Sequence, residues 1–250
     1  MRRFVVEHIP PRGESLIIRG AEARHIRRVL RLGPGARILL MDGRGFRCEA
    51  LIESADRHEV HVRAEKILTP PIPSPIEITI CQALLKSQSM DFVIQKTSEL
   101  GVHAVQPFCS GRTVVKMERG RAHARLKRWR DIAVSAAKQS DRDRPAEIRE
   151  PLSFEDLVTL SRKADALKLV LYEEEEDRDL KGLLRSRPET KRIIGMVGPE
   201  GGFSPDEVRV AGESGFLAVS LGRRTLRAET AALTLVAIIQ YEWGDLSKTA

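Results

Sequence analysis

Up to about residue 69 the apolar positions come in short bursts separated by charge: "RRFVV", "SLIIRG", "ARILLMDGRG", "FRCEALIES" and "HEVHVRAEKI". Bursts of this length predict β-strands, and the one stretch of a different texture, "AEARHIRRVLRLG", predicts a brief helix. Arg44 to Phe46, following "MDG", read as a hairpin turn, because Asp-Gly readily supplies the positive φ that such turns need. Further along, strand-like and helix-like units alternate. "IEITICQAL" is an apolar strand, and "MDFVIQKTSELG" a helix with Phe92, Val93, Thr97 and Leu100 at helical spacing and Gly101 as its C-cap. "VHAVQPF" returns to strand. A long helix over roughly Arg119 to Ser140 turns Leu126, Trp129, Ile132, Ala133 and Ala136 inward and leaves Arg121, Arg125, Arg128 and Lys138 to solvent. "ALKLVLY", "RIIGMVG" and "FLAVSL" are three more short strands, the last leading into a helix from about Ala228 to Trp243.

Between the two textures lies "LTPPIPSP", whose four prolines can continue neither a central strand nor a helix. The domain boundary is therefore expected near residue 72, with a small β-rich module over 1–71 and an α/β domain over 72–250. Apolar strands alternating with helices imply a parallel sheet covered on both faces. The acidic run Glu173 to Asp177 reads as a solvated loop or a first helical turn.

Composition changes this picture little, whereas charge distribution changes it more. Residues 1–70 carry 14 Lys or Arg against 9 acids and residues 111–144 carry 11 against 4, which more than accounts for the net charge of +7. A polyanion bound across both segments is one reading, and a solvated basic face is the other. Aromatic residues make up only 4% of the chain, which disfavours a binder led by base stacking. Cys48, Cys81 and Cys109 lack metal-ligand spacing and read as reduced buried thiols, so no metal is expected. Without a long apolar segment or a signal-peptide pattern, neither membrane association nor export is expected, and the location is expected to be cytoplasmic.

Two stretches carry the candidate chemistry. "GPEGGFSPDEV", Gly198 to Val208, follows a strand and ends in "SPDE", a capping box with Ser204 as N-cap, Pro205 at the first helical position and Glu207 three residues past the cap. Its spacing matches neither a dinucleotide fingerprint nor a Walker phosphate loop. Bare glycines beyond the carboxyl end of a strand instead allow backbone groups to approach a flat neutral ligand such as adenine, although a merely structural tight turn has the same composition. The second stretch, "SLGRRTLRAETAALTLVAII", presents Arg223, Arg224 and Arg227 and then enters an Ala-rich apolar helix. Anion or RNA contact explains these arginines; ion pairing to Glu200, Glu207 or Glu229 is the alternative.

Together "GPEGGFSPDEV" and "LGRRTLRAETA" resemble the hallmark pair of the RsmE family, the small-subunit ribosomal RNA uridine-N3 methyltransferases of the SPOUT superfamily. The resemblance extends to "FVIQKTSELGV", to "RW", to "AAKQSDRDRP" and to "HIRRVLRLGPG", and so covers nearly the whole chain. It implies a PUA-like β-barrel N-terminal domain and a SPOUT-type α/β domain, a trefoil-knotted parallel sheet with helices on both faces. It further implies S-adenosylmethionine as methyl donor, a homodimer, and 16S rRNA in the small subunit as substrate, at uridine 1498 in the usual numbering. On that analogy Gly198, Glu200, Gly201 and Gly202 form one knot loop, and Leu221, Gly222, Leu226 and Thr230 complete the donor pocket.

Methylation at uridine N3 requires the N3 proton to leave, and the charge that develops over O2, N3 and O4 calls for a cationic donor of hydrogen bonds. Arg227 is the first candidate for that role and Glu229 the candidate proton acceptor. RNA is expected at His25, Arg28 and Arg31 of the first domain, with Arg24, Arg28 and Arg31 on one helical face. Arg112 and Arg142 of the second domain, and Arg224, are expected to join them. Two other functions compete: a SPOUT enzyme acting on another rRNA or tRNA nucleotide, and a noncatalytic RNA-binding assembly factor.

Overall fold

The computed structural model describes residues 1–69, 72–114, 119–188 and 190–246, the side chains of 119–121 excepted. Two sequence expectations, the turn-forming Pro70 and Pro71 of the linker and the solvent-facing side chain of Arg121, lie outside the described residues. The chain divides into two compact units, Met1–Ile72 with Ala137–Pro145, and Pro73–Ala136 with Ala146–Ala250.

In the first unit β1 (Arg2–Val5), β2 (Ser15–Ile18), β3 (Arg37–Met41), β4 (Arg47–Ala55) and β5 (Val60–Leu68) form a sheet in the order β1-β3-β4-β5-β2. Only β1 and β3 run parallel. Alternation along the strands sends Ile38, Leu40, Cys48, Ala50, Ile52, Val60 and Val62 to one buried face with Phe4 and Ile26. Register shifts at Glu49/Ala50 and Ile52/Ser54 bend the long β4–β5 pair, as bulges do, and curl the sheet toward the half-barrel of a PUA-like domain.

The predicted helix is α1 (Gly20–Arg24), which continues as a π-helical turn, His25–Val29. The end of that turn corrects the expected arginine face. Arg24 and Arg28, both exposed, keep their four-residue spacing across the junction, but the helix stops at Val29 and Arg31 lies past it in a left-handed conformation, φ +53°, so helical spacing does not place Arg31 on their face. Ala137–Pro145, expected with the α/β domain, packs with the first unit. Arg47, whose side chain is 7% exposed, donates to the Asp141 carboxylate at 3.0 Å and to the Asp141 carbonyl at 2.7 Å. Arg3 lies 2.9 Å from the same carboxylate and donates to the Lys138 carbonyl. Lys138, expected in solvent, is paired with Glu22.

In the second unit β6 (Glu77–Ala83), β7 (Ala104–Cys109), β8 (Glu147–Ile148), β9 (Leu152–Ser153), β10 (Leu167–Leu171), β11 (Arg192–Val197) and β12 (Leu217–Val219) form an all-parallel sheet. The order is β12-β10-β11-β6-β7-β8, with β9 also on β7. Successive residues of one strand feed opposite cores: Ile78 and Ile80 pack with Val105, Leu169, Ile193 and Leu235, while Cys81 and Ala83 pack with Phe108, Val170, Met196 and Phe203. A sheet buried on both faces is the reason its strands read as continuous apolar runs.

Seven helices belong to the described residues: α1, then α2 (Ser87–Glu99), α3 (Arg119–Ser140), α4 (Phe154–Arg162), α5 (Leu180–Arg185), α6 (Pro205–Glu213) and α7 (Ala228–Trp243). α2 ends in a Schellman motif, with Val102 N–H on the Thr97 carbonyl, Gly101 N–H on the Ser98 carbonyl and Gly101 at φ +98°. Its buried face is Met90, Val93, Ile94, Thr97 and Ser98, so Phe92, expected inward, is 43% exposed. α4 and α5, not expected from the sequence, start at the caps Ser153 and Asp179, whose side chains accept from Asp156 N–H and Gly182 N–H.

α7 follows the edge strand β12 yet returns to pack on α2, β6 and β11. α7 thus packs on the middle of the sheet, away from the edge strand that precedes it. The approach is close, since a Cβ on Gly195 of β11 would stand 2.6 Å from Leu235 Cδ2. The buried Gln240 carboxamide fixes the far end of α7, donating to the Gly101 carbonyl and accepting from Ser74 Oγ and Asp245 N–H.

Candidate functional site

The carboxyl ends of β10, β11 and β12 lie side by side, and the loops leaving them enclose a cavity of about 400 Å³. Ligands of open α/β sheets bind in this position. Each of the three loops supplies one wall.

The wall after β11 is the glycine loop. Pro199 to Gly202 close a turn through Gly202 N–H on the Pro199 carbonyl, 3.0 Å, with Gly202 at φ +66°. Gly198 is buried, and a Cβ there would meet the Phe203 ring at 3.2 Å. Phe203 in turn stacks on Phe108, centroids 6.2 Å apart, so the loop is pinned to the core beneath it. The capping box forms as the sequence predicts: Ser204 Oγ accepts Glu207 N–H and Glu207 Oε2 accepts Ser204 N–H. Glu207 Oε1 also takes Gly111 N–H at 2.9 Å, and Arg112 Nη1 donates to the carbonyls of Gly201, 3.0 Å, and Phe203, 3.4 Å. Arg112 therefore holds the glycine loop in place.

The wall after β12 runs from Ser220 through Gly222, φ +99°, to the start of α7. Leu221 and Leu226 are half-buried in it. Arg227 is the N-cap of α7 with an extended backbone, φ −62° and ψ 151°, and its side chain makes no capping bond. Arg223, Arg224 and Arg227 are exposed and, among the described residues, form no ion pair, so the pairing to Glu200, Glu207 or Glu229 that the sequence left open is not made.

The third wall, after β10, is one that sequence reasoning missed. Leu171, Tyr172 and Glu173 line the cavity, and Glu173 Oε1 lies 3.6 Å from the position a Gly202 Cβ would take. Tyr172 donates to Glu174 Oε2 at 2.6 Å, and that bond, with a lesser contribution from burial, raises the phenol above its ordinary pKa. "ALKLVLY" was legible as a strand, and its carboxyl end was the available signal.

Of the residues expected at the donor, Gly198, Glu200, Gly202, Leu221, Gly222 and Leu226 line the cavity, together with Arg224, Arg227 and Glu229. Gly201 stands behind the wall against Arg112, and Thr230 is exposed on the first turn of α7 outside the lining. Arg142, Arg28, Arg31 and His25 belong to the first unit, where His25 packs edge-on to Phe4 at 5.9 Å. Among the described residues no group of three His, Cys, Asp or Glu could hold a metal, and no helix is long and apolar enough to cross a membrane. Burial pushes the Cys48 thiol up to about 11 and the Cys81 thiol up to about 12.

Residues 72–240 match the family described as an RNA methyltransferase domain, and residues 18–65 match an RNA methyltransferase PUA domain. The ribosomal RNA small subunit methyltransferase E of Bacillus subtilis is 31% identical over 250 residues, 97% of each chain. That of Mycobacterium bovis is 33% identical over 249 residues, 96% of this chain and 92% of the other. Among solved structures, a ribosomal RNA small subunit methyltransferase E from Neisseria gonorrhoeae bound to S-adenosyl methionine superposes with a TM-score of 0.90 at 34% identity, over 99% of this chain and 100% of that one. A methyltransferase of Legionella pneumophila in complex with SAM gives a TM-score of 0.90 at 32% identity, over 98% of both. Similarity of this extent over nearly the whole chain, with both segments matched to RNA methyltransferase families, means that the chain belongs to the RsmE family of SPOUT-superfamily ribosomal RNA methyltransferases.

Proposed function

We infer that this chain methylates N3 of a uridine in 16S rRNA, uridine 1498 in the usual numbering, using S-adenosylmethionine, on the assembled small subunit in the cytoplasm and as a homodimer. One observation carries the reading: an unpaired arginine, Arg227, stands at the rim of a cavity walled by apolar strand ends and a tight glycine loop. The cavity fits the donor. Leu171, Val197, Val219, Leu221 and Leu226 offer an apolar seat for a flat ring, the space a Gly202 side chain would occupy stays clear, and Glu173 and Glu200 offer carboxylates to its cationic groups. When bound there, S-adenosylmethionine supplies an electrophilic methyl group on sulfur.

The protein's own contribution is placement and charge. Arg227 donates to O2 or O4 of the uracil as N3 loses its proton, which stabilises the imide anion more than the neutral base. Glu229, two residues on in the first turn of α7, takes the N3 proton. Holding the base edge against the donor converts an encounter into an oriented step, and Arg112 keeps the loop carbonyls at Gly201 and Phe203 where that orientation needs them. His25, Arg28 and Arg31 contact phosphates from the first unit and set the register of the RNA.

The test is mass mapping of 16S rRNA after incubation of undermethylated small subunits with enzyme and donor. A single added methyl at uridine 1498 is expected; a methyl on another nucleotide would replace this reading with that of a SPOUT enzyme of different target. Donor titration separates both from a noncatalytic RNA binder. Dimerisation is checked by sedimentation equilibrium at micromolar concentration, where a mass near twice 28.0 kDa is expected.

A further inference from the structure

On the first unit, the β3–β4 turn and a segment far away in sequence form one surface. Asp42 Oδ1 accepts the N–H groups of Arg44, 2.7 Å, and Phe46, 3.0 Å, while Asp42 N–H bonds back to the Phe46 carbonyl at 3.2 Å. Gly43 and Gly45 supply the positive φ angles, +68° and +114°, that let five residues close this tightly. The turn is thus fixed before any partner arrives. At its end Phe46 is 60% exposed, and Arg44 is exposed beside it.

Residues 143–145 pack against this turn. Pro145 Cδ lies 3.5 Å from where a Gly43 Cβ would stand, and the Asp143 carboxylate and the Arg144 guanidinium lie 3.4 to 3.8 Å from the corresponding position at Gly45. Arg144 Nε donates to the Arg44 carbonyl at 3.1 Å, which orients an exposed guanidinium beside the turn. The segment is anchored just upstream, where Arg47 grips Asp141, itself held at φ +61°.

A single exposed phenylalanine needs no explanation. An exposed phenylalanine on a hydrogen-bonded turn that also carries exposed Arg44, with the Arg144 guanidinium and the Asp143 carboxylate packed on the turn at Gly45, is a composite apolar and charged surface with two cations against one anion. A protein partner that covered the ring would also have to desolvate both guanidiniums. Single-stranded RNA meets both demands at once, because a base face covers the ring while the flanking phosphates take the charges. We propose that the surface made by Arg44, Phe46 and Arg144 binds the rRNA substrate, with Phe46 stacked on an unpaired base and the two arginines on adjacent phosphates. This rests on the reading of the chain as an rRNA methyltransferase and adds a base contact outside the donor pocket.

The test measures filter binding of the full chain to naked 16S rRNA and to undermethylated small subunits over a range of salt, with circular dichroism and thermal unfolding confirming the fold of each variant. Phe46→Ala is expected to lose about tenfold in affinity for both RNAs with an unchanged salt slope, the scale of one base–aromatic stack. Phe46→Trp is expected to keep the affinity and to show fluorescence quenching by RNA beyond that of the wild type. Arg44→Ala is expected to lower the salt slope by about 1. Wild-type affinity in Phe46→Ala overturns the proposal, and so does a loss seen with small subunits but not with naked 16S rRNA, since that assigns Phe46 to a ribosomal protein. A wild-type chain that binds donor but neither RNA overturns the underlying reading, and this proposal with it.

Discussion

The cavity proposed for the donor and the surface proposed for RNA are built on opposite plans. Every wall of the cavity is a loop leaving one strand of a single parallel sheet, so its residues lie in short contiguous stretches, 171–173, 197–203 and 219–231, with Ser89 from α2 the exception. The proposed RNA surface joins a five-residue turn to a segment 100 residues away, through long-range bonds such as Arg144 to Arg44 and Arg47 to Asp141. The strands that carry the cavity loops feed both cores of the sheet, through Leu169, Ile193 and Val219 on one face and Val170 and Met196 on the other. The RNA surface depends instead on polar anchors at the edge of a smaller sheet. A substitution in the cavity should therefore act on donor binding or chemistry alone, and one in the first unit on RNA affinity alone.

The largest expected effect tests the cavity directly. Gly202→Val places a branched side chain at φ +66° and into the space beside Glu173, so donor binding by titration calorimetry should weaken by more than about 100-fold. RNA affinity of the same variant should be unchanged; unaltered donor binding would remove the glycine loop from the site. Next in size is Arg227→Ala, expected to slow single-turnover methylation at saturating RNA by roughly 100-fold while leaving RNA affinity nearly intact. A wild-type rate would demote Arg227 to a binding or dimer-contact residue.

Smaller effects sharpen the boundary between the two regions. Arg112→Ala removes the bonds to the Gly201 and Phe203 carbonyls and should cost about 1 kcal/mol of donor affinity, roughly fivefold, with no change in the salt slope of RNA binding. The reverse pattern would make Arg112 a phosphate contact, as its position among basic residues first suggests. Arg28→Ala should do what Arg112→Ala does not: reduce the RNA salt slope by about 1 and leave donor affinity and the single-turnover rate unchanged.

Much of this architecture was legible in the sequence because it is local. The capping box at Ser204 and Glu207, the C-cap at Gly101 and the span of α7 each depend on residues within a few positions of one another. Phe92 stands at helical spacing with Val93, Thr97 and Leu100 yet is exposed, because spacing alone leaves the phase of the buried stripe open by one residue and the packed face is centred on Val93, Ile94 and Thr97. α4 and α5 were passed over although Ser153 and Asp179 are ordinary N-caps, since both helices are short and follow charged or irregular stretches. Glu173 was read as part of a solvated acidic run. Its place in the cavity follows from β10 lying next to β11, a neighbour relation that no local pattern encodes.

By itself, then, the sequence determined the alternation of elements, the two glycine-bearing loops and, by resemblance, the family. Those features are set by backbone sterics, capping bonds and apolar periodicity, all of which act over a few residues. Tertiary structure alone decided that Tyr172 and Glu173 line the cavity proposed for the donor, that Arg112 holds the glycine loop, and that the segment around Asp141 belongs with Arg3, Arg44 and Arg47. Such groupings depend on which distant groups meet when apolar faces are buried and buried charges find partners, and that is a property of the whole packed chain.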